Sequence, residues 1–341
     1  MALNILRKIG TYVFVLLGLS VLIFTISRIA PGDPARIALG ARAPEETVQA
    51  LRVQMNLDRP YYVQYVLWLR DALRLDLGES LQTRLPVSTD IRRLLPATLE
   101  LVFLAAVWMI FFGLLLGILA AKFTGTWLDG IIRILSYLGV VAPAIVWSII
   151  LMLLFAYLIP IFPSTGRLSL GMPPPEMVTG MYTVDFLIAG NFAGFLDALR
   201  HLFLPAIGLT FGGIAQGARI TRGTMVENGQ KDYILAERAY GIPEYKMLTK
   251  YWLKPSLIPT VSVTSLDIAS MFGGAFLVEQ LFNYPGLARY GMQAVLNKDL
   301  NAIAGVAMVL GLVFIIVNII IDFIVSRLDP RVRLQGGSGG E

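Results

Sequence analysis

The sequence predicts an all-α, polytopic membrane protein with six transmembrane helices, and three observations predict it. Charged residues make up 15% of the chain against 56% hydrophobic, with a mean hydropathy of +0.69, whereas soluble domains carry roughly 25% charge. Six apolar runs are present, each about 18 residues or longer and so able to cross a bilayer as a helix. Lysine and arginine gather in the short segments on one side of those runs, as they do in cytoplasmic loops.

The first run, Ile9–Arg28, follows Arg7 and Lys8 and is longer than the apolar core of a signal peptide, with no small-x-small cleavage site behind it. A retained span is expected. The second and third runs are Thr98–Ala121 and Ile134–Ile159; the fourth to sixth are Leu202–Thr221, Ser256–Val278 and Ala302–Val325. Residues 1–8 precede a transmembrane domain over 9–330, with outer segments at 31–96 and 160–201 and a charged inner segment at 222–255. Within the first outer segment, "YYVQYVLWLRDAL" reads as an amphipathic helix whose apolar stripe needs a surface to cover, so that segment is expected to be folded. The tail 331–341, ending "QGGSGGE", has the composition of a flexible linker and carries no functional expectation.

Orientation follows from the basic residues. Arg7 and Lys8, Lys122 and Arg133, the group Arg222, Lys231, Arg238, Lys246, Lys250 and Lys254, and Arg327, Arg331 and Arg333 all fall on one side if the N-terminus is cytoplasmic. The arginine-rich segment from Pro31 to Leu95 does not count against this, because long segments translocate largely regardless of charge. Both termini are therefore expected in the cytoplasm. Within the spans, "GLLLG" (Gly113, Gly117), "GLTFG" (Gly208, Gly212) and "GIAQG" (Gly213, Gly217) place glycines one helical turn apart, which lets helix backbones approach closely. Each motif alone is also compatible with chance.

Composition excludes several classes of chemistry. The chain has no cysteine and one histidine, His201, which removes thiolate catalysis and cysteine-ligated metal and leaves no histidine-rich metal site. It contains no G-x-x-x-x-G-K-[ST] phosphate loop, no H-E-x-x-H and no G-x-S-x-G. No catalytic, cofactor-binding or metal-binding residue is expected, and nothing in the chain is expected to bind and hydrolyse ATP unaided. The net charge of +5 is explained by cytoplasmic loops, and no nucleic-acid partner is expected.

Two features stand out as candidates for function. The first is "DYILAERAYGIPEYK", a charged stretch on the cytoplasmic side with Gly241 and Pro243 near its middle. Gly241 permits a turn that a residue with a Cβ would resist, and Pro243 presets φ for a following helix. The alternative is an amphipathic helix lying on anionic lipid. The second is Asp267, in the middle of the fifth run, where a charge normally faces protein or water. It is expected to line a translocation path, or else to pair with a polar group such as Asn318 or Gln216. Asp322 is expected to pair with Arg327 or to sit near water.

These residues carry a family resemblance. Gly241 followed eighteen positions later by Pro259, in "AERAYGIPEYKMLTKYWLKPSLIP", resembles the coupling motif of binding-protein-dependent ABC importer permeases. The stretches "RIAPGDPARIALG", "NLDRPYYVQY", "LDLGESLQTRLPV", "FLVEQLFNYPGLARYGMQAV" and "DFIVSRLDPRVRL" resemble the peptide/nickel type, in that family's order and over nearly the whole chain. The resemblance implies the type I permease fold. It implies as partners a second homologous permease, two ATPase subunits and an extracytoplasmic binding protein, besides membrane lipid. It implies an ATPase-coupling role for Asp232, Ala236, Glu237, Arg238, Ala239, Gly241, Lys254 and Pro259, and a path, gate or loop-anchoring role for Glu279. Asp267 and Gln216 complete the path candidates. Three positions depart from the family pattern: Glu237 stands where a small residue is usual, Leu235 where an acidic residue is usual, and Leu75 where a glycine is usual. Di- or oligopeptides are the implied cargo, with oligosaccharides or nickel as alternatives. A proton-coupled secondary transporter using Asp267 and Asp322 is the reading from another class.

Overall fold

The computed structural model describes residues 2–29, 34–40, 42–54 and 56–328. Among them the structure is helical, with one isolated antiparallel bridge between Glu79 and Pro86. The tail 331–341, including Arg331 and Arg333, lies outside the described residues, as do the side chains of Arg238 and Arg327. The chain divides into two compact units, Met1–Leu95 with Tyr290–Ile316 and Pro96–Arg289 with Val317–Glu341.

In the first unit, α1 (Ala2–Ile29) is followed by the short helices α2 (Pro34–Leu39) and α3 (Glu45–Gln54) and by α4 (Tyr61–Leu73). The helix expected from "YYVQYVLWLRDAL" is therefore α4. Pro60 precedes it at φ −57°. Its stripe covers α1: Tyr65 and Trp68 pack on Phe24 at ring separations of 5.4 and 5.8 Å, and the Tyr65 hydroxyl lies 2.9 Å from Ser20 Oγ. The helix is left through Leu75 at φ +64°, a left-handed conformation unusual for a bulky side chain. The family's glycine at this position thus has a steric reason, and the leucine here holds the same turn under strain. Beyond it, Ser80 Oγ and the Leu81 amide donate to Asp299 Oδ2 at 2.6 and 2.8 Å. The other oxygen of Asp299 accepts from the Ala302 amide at 3.1 Å, capping α14 (Leu300–Leu328).

The second unit is organised around the 38-residue helix α9 (Phe192–Gly229), which packs against α6 (Trp127–Val141), α7 (Ala144–Met152), the short α8 (Tyr182–Ile188) and α12 (Lys254–Leu281). Small residues set the spacing. A Cβ at Gly113 of α5 (Val87–Lys122) would stand 3.5 Å from the Gly217 Cα. One at Gly117 would meet Thr221, one at Gly208 Ser148 and one at Gly213 Met109. All three glycine motifs lie at such close approaches. Hydroxyls join the same helices: Thr221 and Thr260 lie 3.1 Å apart, and Asn228 donates to Ser256 at 2.9 Å, contacts of the kind that hold helices together without a hydrophobic driving force.

Among the described residues, four helices are long and apolar enough to cross a membrane, α5, α9, Glu244–Leu281 and Leu300–Phe323, and a fifth counts if α6 and the helix Ala144–Leu158 form one span. α1 runs over Ala2–Ile29, and its described side chains form the apolar stretch Gly10–Ile26. Of the six expected spans, the third is the one that is interrupted. The expected continuous run Ile134–Ile159 is bent by 117°. The ring of Pro143 clashes with helical geometry at the residue before it, and Ala142 accordingly takes φ −86°, ψ 135°. Beyond α7 the chain winds one π-helical turn, Leu153–Leu158.

Candidate functional site

The charged segment folds as a helical hairpin. α10 (Asp232–Ala239) starts with an acidic residue in its first turn, where the helix dipole favours it. It ends at Gly241, whose φ of +70° is a left-handed value that costs a residue with a Cβ about 1–2 kcal/mol. Pro243, at φ −63°, then opens α11 (Glu244–Lys246). A π-helical turn, Met247–Leu253, leads into α12. Two buried apolar residues fasten the hairpin, Ile234 and Met247, and the Trp252 indole lies against Gly229. Glu244 pairs with Lys122 at 3.3 Å.

The outward surface of this hairpin is a defined set of side chains. Asp232, Ala236, Ala239, Gly241 and Lys254 are exposed and Glu237 is half-buried. Tyr240 and Tyr245 stand out at 85% and 64% exposure, a large aromatic area to leave uncovered on both sides of one turn. Pro259 is half-buried inside α12. Of the coupling candidates, Arg238 contributes its backbone to α10, and its side chain lies outside the described residues.

The three path candidates share no hydrogen bond with one another. Asp267 is half-buried in α12; its carboxylate makes no hydrogen bond to a described residue, and Oδ2 is enclosed. Gln216 accepts from Arg219 Nη2 at 2.6 Å, so the expected alternative pairing of Asp267 with Gln216 is not formed. Neither is a hydrogen bond from Asn318 to that carboxylate. Glu279 is completely buried. It accepts from Thr98 Oγ1 at 2.6 Å and from the Arg289 amide at 2.7 Å, and Thr98 Oγ1 accepts in turn from the Leu287 amide at 2.8 Å. A Cβ at Gly286 would fall on the Glu279 carboxylate. Glu279 thereby fastens the turn after α12 and the start of α13 (Leu287–Leu296) to α5. Asp322 is exposed, and the side chain of its expected partner Arg327 lies outside the described residues.

Sequence reading passed over two further carboxylates. Glu100, inside the second apolar run, holds Arg167 Nη2 at 2.5 Å and accepts from the Thr183 amide and hydroxyl at 2.6 and 2.7 Å. Arg167 lies over the Tyr182 ring at 3.5 Å. Burial disfavours its charge, but the Glu100 carboxylate beside it outweighs that and holds it above its ordinary pKa. Tyr284 is buried, which pushes its phenol well above the usual value, so it stays neutral and donates to Glu100 at 3.1 Å. Asp129, the second, accepts from Arg222 Nε and Nη2 at 2.5 and 2.8 Å. The signal for Glu100 was a carboxylate within an apolar run, which demands a partner; Asp129, in the short segment between the second and third runs, carried no such signal. The partners lie 67 and 93 residues away.

Apolar spans packed on small residues, the interior carboxylates Glu100 and Glu279 satisfied by partners, and an exposed charged hairpin between two long helices define a polytopic membrane protein. Residues 113–334 match the family model described as "Binding-protein-dependent transport system inner membrane component", and residues 1–102 match its N-terminal companion. The chain belongs to this family. It is 38% identical to the probable D,D-dipeptide transport system permease protein DdpB of Escherichia coli, covering 95% of this chain and 96% of the relative. It is 34% identical to the di/tripeptide transport system permease protein DppB of Pseudomonas aeruginosa (97% and 98% covered) and 32% identical to the dipeptide permease DppB of Alkalihalophilus pseudofirmus (96% and 98%).

Proposed function

We propose that the chain is one permease subunit of an ATP-driven importer of short peptides, forming half of the translocation pathway beside a second homologous permease. Two ATPase subunits would bind the ATP, and an extracytoplasmic binding protein would deliver the cargo; this chain would supply no catalytic residue. The N- and C-termini and the hairpin would face the cytoplasm across the cell's inner membrane. Peptide cargo is supported by the relatives, which are named for dipeptide and tripeptide transport. Competition of dipeptides with oligosaccharides and with nickel in an uptake assay separates the three cargoes. Asp267 would contribute its unpaired carboxylate to the path, and Gln216 its amide. Glu279 would act as the anchor of the adjoining turn.

The observation that supports coupling best is the hairpin itself, a rigid turn at Gly241 that presents Tyr240, Tyr245 and charged flanks outward while Ile234 and Met247 hold its base. Such a surface suits a groove on a partner subunit. Replacing Gly241 by valine puts a β-branched residue at φ +70°, and the strain of about 1–2 kcal/mol shifts the turn equilibrium roughly five- to thirtyfold. ATPase activity of the purified complex, measured with and without binding protein, is expected to lose its stimulation by at least about fivefold. Full stimulation in Gly241→Val would remove the coupling assignment.

A further inference from the structure

A cavity of about 40 Å³ opens between α6 and α9. Arg133 of α6 and Arg219 and Arg222 of α9 converge on it, with Tyr137 in its wall. One carboxylate faces them. Asp129 takes both the Nε and Nη2 of Arg222 and lies 3.7 Å from Arg133 Nε. Three guanidiniums against one carboxylate leave two positive charges (3 − 1 = 2) without a balancing anion. Arg219 is exposed and donates to the neutral amide oxygen of Gln216, and Arg133 keeps half of its side-chain surface. Uncompensated positive charge gathered at one cavity attracts an anion.

The position of the cavity indicates which anion. The apolar run of α9 ends at Thr221 and that of α6 begins at Ile134, so all three arginines stand where hydrocarbon gives way to headgroups. Around them α6 turns outward Ile131, Ile134 and Leu138, and Tyr137 of the cavity wall is exposed, as aromatic residues are at a membrane interface. A peptide in transit would meet this rim only in passing, whereas lipid phosphate is permanently at this depth.

We propose that this cavity binds the phosphodiester of an anionic phospholipid, with Arg133 and Arg219 forking onto the phosphate oxygens and the Tyr137 hydroxyl as a neutral donor. Arg222 is held by Asp129 and shapes the rim. The leaflet follows from the orientation proposed above and would be the cytoplasmic one; the site itself rests only on the membrane-spanning fold.

The test uses the full chain with its partner subunits in nanodiscs of phosphatidylcholine doped with phosphatidylglycerol, reading retained lipid by native mass spectrometry. Wild type is expected to enrich phosphatidylglycerol. Each basic residue near the surface contributes about a fivefold preference, so Arg219→Gln should lose about fivefold and Arg133→Gln/Arg219→Gln about thirtyfold. Arg219→Lys, which keeps the charge but loses the fork, should lose less than Arg219→Gln. Unchanged enrichment in the double variant would overturn the proposal, as would an equal loss in Lys246→Gln/Lys250→Gln, which would reduce the effect to general surface charge. Displacement of the lipid by millimolar glycerol phosphate or by a dipeptide would reassign the cavity to a soluble anion or to cargo. Because the readout needs neither ATP nor binding protein, its failure is distinct from failure of the importer reading.

Discussion

Asp267 and Glu279 sit twelve residues apart on one helix, yet the structure gives them opposite circumstances. Glu279 is enclosed and satisfied by a hydroxyl and a backbone amide, whereas the Asp267 carboxylate has no described partner. Removing the Glu279 carboxylate leaves both donors unmatched in a dry site, at a cost of about 1.5–3 kcal/mol for each bond to a charged group. Glu279→Ala is therefore expected to lower the thermal midpoint of the detergent-purified protein clearly, with Glu279→Gln milder because it keeps an acceptor. Asp267→Asn should leave that midpoint almost unmoved and instead change uptake, most for peptides with a free amino terminus. Equal midpoints for Glu279→Ala and wild type would remove the anchoring role, and uptake unchanged for every peptide would remove Asp267 from the path. The sequence made Asp267 conspicuous because a charge stood alone in an apolar run. It gave no hint that Thr98, 181 residues earlier, completes the Glu279 site.

Helices were largely legible where their signals are local. α4 follows from its amphipathic stripe and Pro60, and the hairpin follows from the glycine and proline that punctuate it. The glycine motifs marked faces of close approach, but which helix each face meets depends on the chain returning from elsewhere. Pro143 was visible too, without its consequence: a proline inside an apolar run can kink a helix mildly or break it, and here the bend is 117°. Pro143→Ala restores an amide and relieves the restriction on Ala142. In this cysteine-free chain, spin labels on Ile131→Cys and Leu153→Cys report the bend directly. The distance distribution is expected to shift to longer separations in Pro143→Ala; an unchanged distribution would mean that packing against α9 imposes the bend.

At the scale of the whole molecule, the energy source separates the importer from a proton-coupled carrier. In reconstituted vesicles containing all proposed subunits, uptake is expected to stop on ATP depletion and to continue when the proton gradient is collapsed. Uptake that follows the proton gradient and ignores ATP would favour the carrier reading, in which Asp267 and Asp322 take up protons and the hairpin has no task.

The sequence by itself determined the all-helical membrane class, the family and the place of the hairpin, because apolar run length, charge asymmetry and turn chemistry act over a few residues to a few tens of residues. Tertiary structure alone decided which carboxylates are satisfied, since Glu100 with Arg167, Asp129 with Arg222 and Thr98 with Glu279 join positions separated by 67, 93 and 181 residues. It also decided that the third apolar run breaks, and that Arg133 and Arg219 meet at one cavity. The physical reason is the same in each case: an interior charge announces through its desolvation cost that a partner must exist, but only the packed helices determine which residue provides it.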